Sequence, residues 1–112
     1  MDAYKVEFLQ EALDDLEEII LYIAQDSPAA ALGMHDKIIE KFNNLMIFPK
    51  RGRLIPDRKM SAIGFRMLGI LPYIAFYRVL GNDVLIYRVL HGSSNYPILY
   101  EKMTKGIDSD LS

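Results

Sequence analysis

A chain of 112 residues, 51% hydrophobic and 25% charged, has the composition of an ordinary globular protein and the length for one buried core. It contains no cysteine, which excludes disulfides and thiolate metal sites and fits a reducing cytoplasm. Its longest apolar stretch, Met67 to Tyr77, is broken by Gly69 and Pro72 and falls short of the roughly 20 residues a membrane helix needs. The opening residues lack the apolar centre of a signal peptide, so a soluble protein with no membrane partner is expected.

The net charge of −2 conceals a segregation. Residues 1–49 hold three Lys/Arg against ten Asp/Glu, whereas residues 50–92 hold eight against two. Either the two regions neutralise each other in the fold, or the middle of the chain faces something anionic.

In chain order, Tyr4 to Phe8 alternates apolar and charged residues, the pattern of a half-buried strand. From about Gln10 to Gln25, Ala12, Leu13, Leu16, Ile19, Ile20 and Ile23 recur at helical spacing. Glu11, Asp14, Asp15, Glu17 and Glu18 fall on the remaining, solvated faces and suit the positive end of the helix dipole. Ser27-Pro28 reads as the cap and first position of a second helix, whose apolar stripe runs from Leu32 to Met46 and which Pro49 closes. So short a connection makes the two an antiparallel helix hairpin. His35 lies on that stripe and reads as a boundary histidine rather than a ligand.

Residues 50–59, Lys-Arg-Gly-Arg-Leu-Ile-Pro-Asp-Arg-Lys, form a basic loop punctuated by Gly and Pro. Strands are then predicted over Ala62–Ile70, Tyr73–Leu80 and Val84–His91. After Ser93 an aromatic patch, Tyr96 to Tyr100, gives way to a polar tail that is expected to fray. The order β-α-α-β-β-β implies an α+β fold: an antiparallel sheet with the helix hairpin on one face. It forms one domain over residues 1–103, with 104–112 as a tail. No cofactor and no metal site is implied.

The four letters YRVL occur at both 77–80 and 87–90, as two arms of one hairpin. A two-residue Gly81-Asn82 loop sends Arg78 and Arg88 to opposite faces; a three-residue loop including Asp83 puts both on one face. The first arrangement places a guanidinium beneath the helices, where an unpaired charge costs several kcal/mol unless it has a dedicated partner. The second, adopted here, leaves both arginines on an open apolar face beside Phe76 and Ile86. That face would receive an anionic, apolar visitor.

The segments "DLEEIILYIAQDSP", "FPKRGR", "GFRML", "PYIAFYRV" and "IYRVLHGSSNYP", in this order and spacing, resemble the RelE/ParE toxins of bacterial type II toxin–antitoxin systems over roughly residues 4–100. The resemblance implies a compact cytoplasmic toxin neutralised by a cognate antitoxin, which wraps a flexible segment over the helices and sheet. That segment is expected to be amphipathic and acidic, since it must cover apolar surface and the basic middle of the chain. Lys50, Arg51, Arg53, Arg78 and Tyr96 are the candidates for contact with partner or target.

RelE-like members cleave mRNA in the ribosomal A site with a cluster of basic residues and a tyrosine near the C-terminus. On that pattern the candidate catalytic residues are Arg66, Arg88, His91 and Tyr100. Two further basic positions of the pattern are occupied by Ile74 and Ser94, neither of which donates as an arginine does. ParE-like members poison DNA gyrase instead. The ending "RVLHG" followed by Asn95-Tyr96-Pro97 is similar to that branch, although Ser93 and Ser94 stand where ParE-like members usually carry charge. Gyrase inhibition is therefore the expected activity. Ribosome-dependent mRNA cleavage is the alternative, and an inactive antitoxin-binding relative is the third reading.

Overall fold

The computed structural model describes residues 3–111, with side chains through Lys105. Its elements are β1 (Lys5–Phe8), α1 (Gln10–Asp26), α2 (Pro28–Ile47), β2 (Arg53–Leu54), α3 (Arg58–Ala62), β3 (Phe65–Ile70), β4 (Tyr73–Leu80), β5 (Asp83–His91) and α4 (Tyr96–Leu111). The fold is α+β, with a five-stranded sheet in the order β1-β5-β4-β3-β2. The sheet is mostly antiparallel, but β1 lies parallel to β5, with Val6 opposite Val84 and Phe8 opposite Ile86. A parallel neighbour needs a long crossover, and the helix hairpin and the rest of the sheet supply it.

Ser27 both ends α1 and starts α2. Its hydroxyl accepts the Ala30 N–H at 3.0 Å, and Pro28 occupies the first turn, where a missing donor costs nothing. The hairpin buries Ala12, Ile19, Ile38, Phe42 and Leu45 against Leu68, Ile70, Ala75, Tyr77, Val84, Ile86 and Val89. Phe8 meets Phe42 edge-on at 5.1 Å, which ties β1 into the same core.

The other face of the sheet is covered, contrary to the open face expected from the sequence. Helices α3 and α4 close a second core in which Met60, Leu99 and Met103 pack on Phe65, Phe76 and Tyr87. The segment expected to fray is helical because Tyr96, Leu99, Tyr100 and Met103 recur at helical spacing and bring one apolar stripe to the sheet. Helix α4 crosses Met103 without a break, and Thr104 is buried, its hydroxyl donating to the Tyr100 carbonyl at 2.9 Å.

The hairpin register also differs. Leu80 opposes Asp83 across a two-residue Gly81-Asn82 turn, with Gly81 at φ +60° as such a turn requires. A bulge follows: Tyr77 pairs with Ile86 and Phe76 with Arg88, so Tyr87 is an extra residue on β5. The bulge sets Arg88, opposite Phe76, on the sheet face that also carries Arg78, as expected from the sequence though by another route, but the two guanidiniums have different partners. Arg78 Nε donates to the Ile63 carbonyl at 3.0 Å and its Nη1 to the Tyr87 hydroxyl at 3.3 Å, beside the second core. Arg88 instead engages Asp15 of α1 through two bonds, Nε to Oδ2 at 2.7 Å and Nη2 to Oδ1 at 2.9 Å. The part-buried Arg88 guanidinium thus has a dedicated partner across the sheet edge on α1.

Asp15 does more than neutralise a charge. Strand β1 ends opposite Ile86, so the edge of β5 beyond that point has no neighbouring strand. The Asp15 Oδ2 accepts the Val89 N–H at 3.0 Å and takes the place of a strand carbonyl there. Asp15 is 8% exposed, and its pairing holds the Arg88 guanidinium above its ordinary pKa. Removing one partner of such a pair strands the other in a poorly solvated position. Asp15→Ala is therefore expected to lower unfolding free energy by about 2–4 kcal/mol in urea titration, and Arg88→Met by distinctly less. An Asp15→Ala protein of unchanged midpoint would contradict the assignment.

Candidate functional site

The basic loop is organised by a buried tyrosine. Tyr77 sits wholly inside the first core, and its hydroxyl accepts the Gly52 N–H at 2.8 Å. Burial pushes the Tyr77 phenol above its ordinary pKa, which keeps it neutral. Arg66, on β3, donates through Nη1 to the Gly52 carbonyl at 2.8 Å and to the Lys50 carbonyl at 3.4 Å. The loop backbone is thereby bound on both its donor and its acceptor side. Position 52 admits no side chain, since a Cβ there would lie 2.6 Å from the Tyr77 hydroxyl and 2.7 Å from the Met67 carbonyl oxygen.

Around this anchor Lys50, Arg51 and Arg53 are exposed, and none forms a salt bridge among the described residues. The apolar side chains of Ile47 and Phe48 are 62% and 57% exposed beside them. Together with Tyr4 and Pro49, Ile47, Phe48, Lys50 and Arg51 line an open recess of about 650 Å³. An apolar recess ringed by unneutralised cations suits an amphipathic anionic partner.

The residues assigned to catalysis by resemblance do not converge. Arg66 is committed to loop carbonyls and Arg88 to Asp15. His91 lies at the end of β5 with its ring edge-on to Tyr73 at 5.7 Å. Its Nδ1 accepts the Ser93 N–H at 3.2 Å, which places the proton of the neutral ring on Nε2. Tyr100 sits on α4, stacked on Tyr96 at 6.1 Å, and burial pushes its phenol up in pKa, away from service as a base. Among the described residues no hydrogen bond or ring contact joins any two of these four. Arg78, assigned to partner contact, is held by Ile63, Tyr87 and the Phe65 ring, its Cζ 5.5 Å from the ring centroid. Tyr96, assigned likewise, donates its hydroxyl to the Gly92 carbonyl and packs on Phe76. Ile74 is part of the second core, and the Ser94 hydroxyl donates to the His91 carbonyl at 2.8 Å. Among the described residues no helix is long and apolar enough to cross a membrane.

Residues 6–96 match the family model described as ParE toxin of type II toxin-antitoxin system, parDE. The chain belongs to the ParE toxin family. Toxin ParE3 of Caulobacter vibrioides is 30% identical over 91 residues, covering 80% of this chain and 88% of that one. Putative toxin Y4kP of Sinorhizobium fredii is 33% identical over 97 residues, with 87% and 97% covered. Among solved structures, the chromosomal ParDE system of P. aeruginosa superposes with a TM-score of 0.63 at 25% identity, over 80% of this chain and 96% of that one. A chain of the RelBE2 toxin–antitoxin complex of Mycobacterium tuberculosis gives a TM-score of 0.56 at 25% identity, over 80% and 98%. The protein is thus a type II toxin of the RelE/ParE superfamily, and the superfamily pairs such chains with an antitoxin. The matched family unit stops at Tyr96, the first residue of α4.

The residues that sequence reasoning missed are Asp15, Tyr77 and Gly52. Asp15 could have been found, because it shares a stripe with Ala12 and Ile19 at helical spacing. Gly52→Ala is expected to cost about 1–3 kcal/mol in thermal or urea unfolding and to broaden the amide signals of residues 50–53. Tyr77→Phe leaves the Gly52 N–H unpaired, and its loss should be about 1–2 kcal/mol at pH 7. Because the native phenol is raised, the hydroxyl's contribution is intact below the ordinary tyrosine value of about 10 and declines above it. The stability gap between the native protein and Tyr77→Phe should therefore narrow as pH rises above about 10. A gap that stays constant would count against the buried hydroxyl.

Proposed function

We propose that this toxin arrests growth by inhibiting DNA gyrase in the cytoplasm and is neutralised by an antitoxin whose acidic amphipathic segment covers the basic loop. One observation supports the gyrase reading above the others. The side chains a RelE-like nuclease would use are dispersed and engaged: Arg66 by carbonyls, Arg88 by Asp15, and Tyr100 in the α4 stack. General acid–base catalysis contributes roughly 10²–10⁴-fold, and only when the groups converge on one reacting centre. The match to the ParE family model points the same way.

Lys50, Arg51 and Arg53 are the residues we assign to partner and target contact. They are exposed, unpaired among the described residues, and held on a loop that is already ordered, so little entropy is lost when they bind. An ion-paired contact of this kind weakens with salt.

Purified toxin incubated with gyrase and supercoiled plasmid at micromolar concentration is expected to trap cleaved DNA or block supercoiling. Arg51→Glu/Arg53→Glu should reduce that effect by about tenfold without changing the fold. New mRNA 5′ ends in the A-site codon of a translation reaction, with gyrase untouched, would establish the ribosomal reading instead. Expression without antitoxin that leaves growth unaffected would mark a relative that binds but does not act.

A further inference from the structure

A second surface, of opposite sign to the basic loop, lies where α1 meets the free end of β5. Ile19, Tyr22, Pro72, Tyr73, Val89 and Leu90 line a groove of about 560 Å³ there. It exists because β1 stops opposite Ile86 and leaves the end of β5 to face a helix instead of a strand. Asp15 and Glu18 are the acids in its lining. Asp15 is spent on Arg88 and the Val89 N–H, whereas Glu18 has no salt bridge among the described residues. The groove opens onto the outward face of α1, where Asp14, Glu17 and Glu18 surround Leu21 and Tyr22. Those two apolar side chains are 58% and 67% exposed. Arg88, the cation that meets these acids, is already engaged by Asp15. His91, also in the lining, presents Nε2–H as a donor.

Leu21 and Tyr22 extend the apolar groove into one exposed patch rimmed by carboxylates, a surface that suits a covering partner. The charge decides which. An acidic segment, as suits the basic loop, would be repelled here by Asp14, Glu17 and Glu18. An anionic nucleic acid or membrane surface is disfavoured for the same reason.

We propose that this groove and the adjoining face of α1 form a docking site for a basic amphipathic helix of a protein partner. One large apolar side chain of that helix enters the groove, and a lysine or arginine a turn away pairs with Glu18. The spacing follows from helix geometry, since Glu18 and Tyr22 are one turn apart on α1 and an incoming helix reads them as adjacent positions. The site is distinct from the basic loop and independent of which target the toxin engages. A partner that used both would carry a basic stretch and an acidic stretch, each matched to its own surface.

The test uses the full chain and two fluorescein-labelled helical peptides, one of leucine, lysine and a single phenylalanine, the other with glutamate in place of every lysine. In anisotropy titrations the lysine peptide should bind at least about tenfold more tightly than the glutamate peptide. Glu18→Lys and Tyr22→Ala, both at exposed positions, should each weaken it by about tenfold or more, while Glu40→Lys on α2 should leave it unchanged. Amide shifts should move along α1 and at residues 89–94. Absence of binding by the lysine peptide, equal binding of the two peptides, or indifference to Glu18→Lys and Tyr22→Ala would each overturn the proposal.

Discussion

The Asp15 carboxylate joins the three parts of the molecule that give it shape. It stands on α1, accepts both arms of the Arg88 guanidinium, and takes the Val89 N–H at the point where the sheet loses its neighbouring strand. Each bond resolves a difficulty created by another part of the fold. The guanidinium would otherwise lie part-buried without a counter-charge, and the strand edge would keep an unpaired donor under a helix. The bulge at Tyr87 belongs to the same arrangement. The extra residue shifts the register between Ile86 and Arg88, the stretch in which β5 passes from strand neighbour to helix neighbour. A hairpin of perfect alternation would have no such change of phase.

The helix hairpin, the three long strands and the α+β class were legible because their signals are local: apolar residues at helical spacing, the Ser27-Pro28 cap, and strand runs punctuated by turn residues. The route by which both arginines reach one face was not. Alternation from the turn gives one answer, a bulge reverses it part-way along the arm, and neither leaves a mark in the letters YRVL. Asp15 was hidden by its company, one carboxylate among six on an acidic helix, although its place on the Ala12–Ile19 stripe sets it apart. Helix α4 was concealed by polarity. Its apolar stripe is short and lies within a segment rich in charge, so the aromatic cluster read as an isolated patch. Gly52 read as loop punctuation because the tyrosine that dictates it lies 25 residues later in the chain.

The charge segregation of the sequence survives in the fold as surface. Apart from Asp15 and Arg88, no salt bridge joins the acidic and basic regions among the described residues; Glu11 and Glu18 act on Arg88 at longer range, and the cations at 50–53 form no salt bridge. A toxin that must be held tightly by one protein gains discrimination from this layout. A partner with one sign of charge satisfies one surface and is repelled by the other, which is a stronger filter than apolar complementarity alone. The sheet face opposite the helix hairpin is already occupied by α3 and α4.

The pairing of β1 with β5 carries a consequence for how the molecule comes into being. Phe8 lies opposite Ile86, so β1 gains its strand neighbour only once residue 86 has left the ribosome. Contacts so distant in sequence are slow to form, because most of the loop entropy is lost before the pairing repays it. During that interval the nascent polypeptide has its helix hairpin but no closed sheet. Until that pairing forms, the edge of β5 that β1 later covers stays open to any other strand.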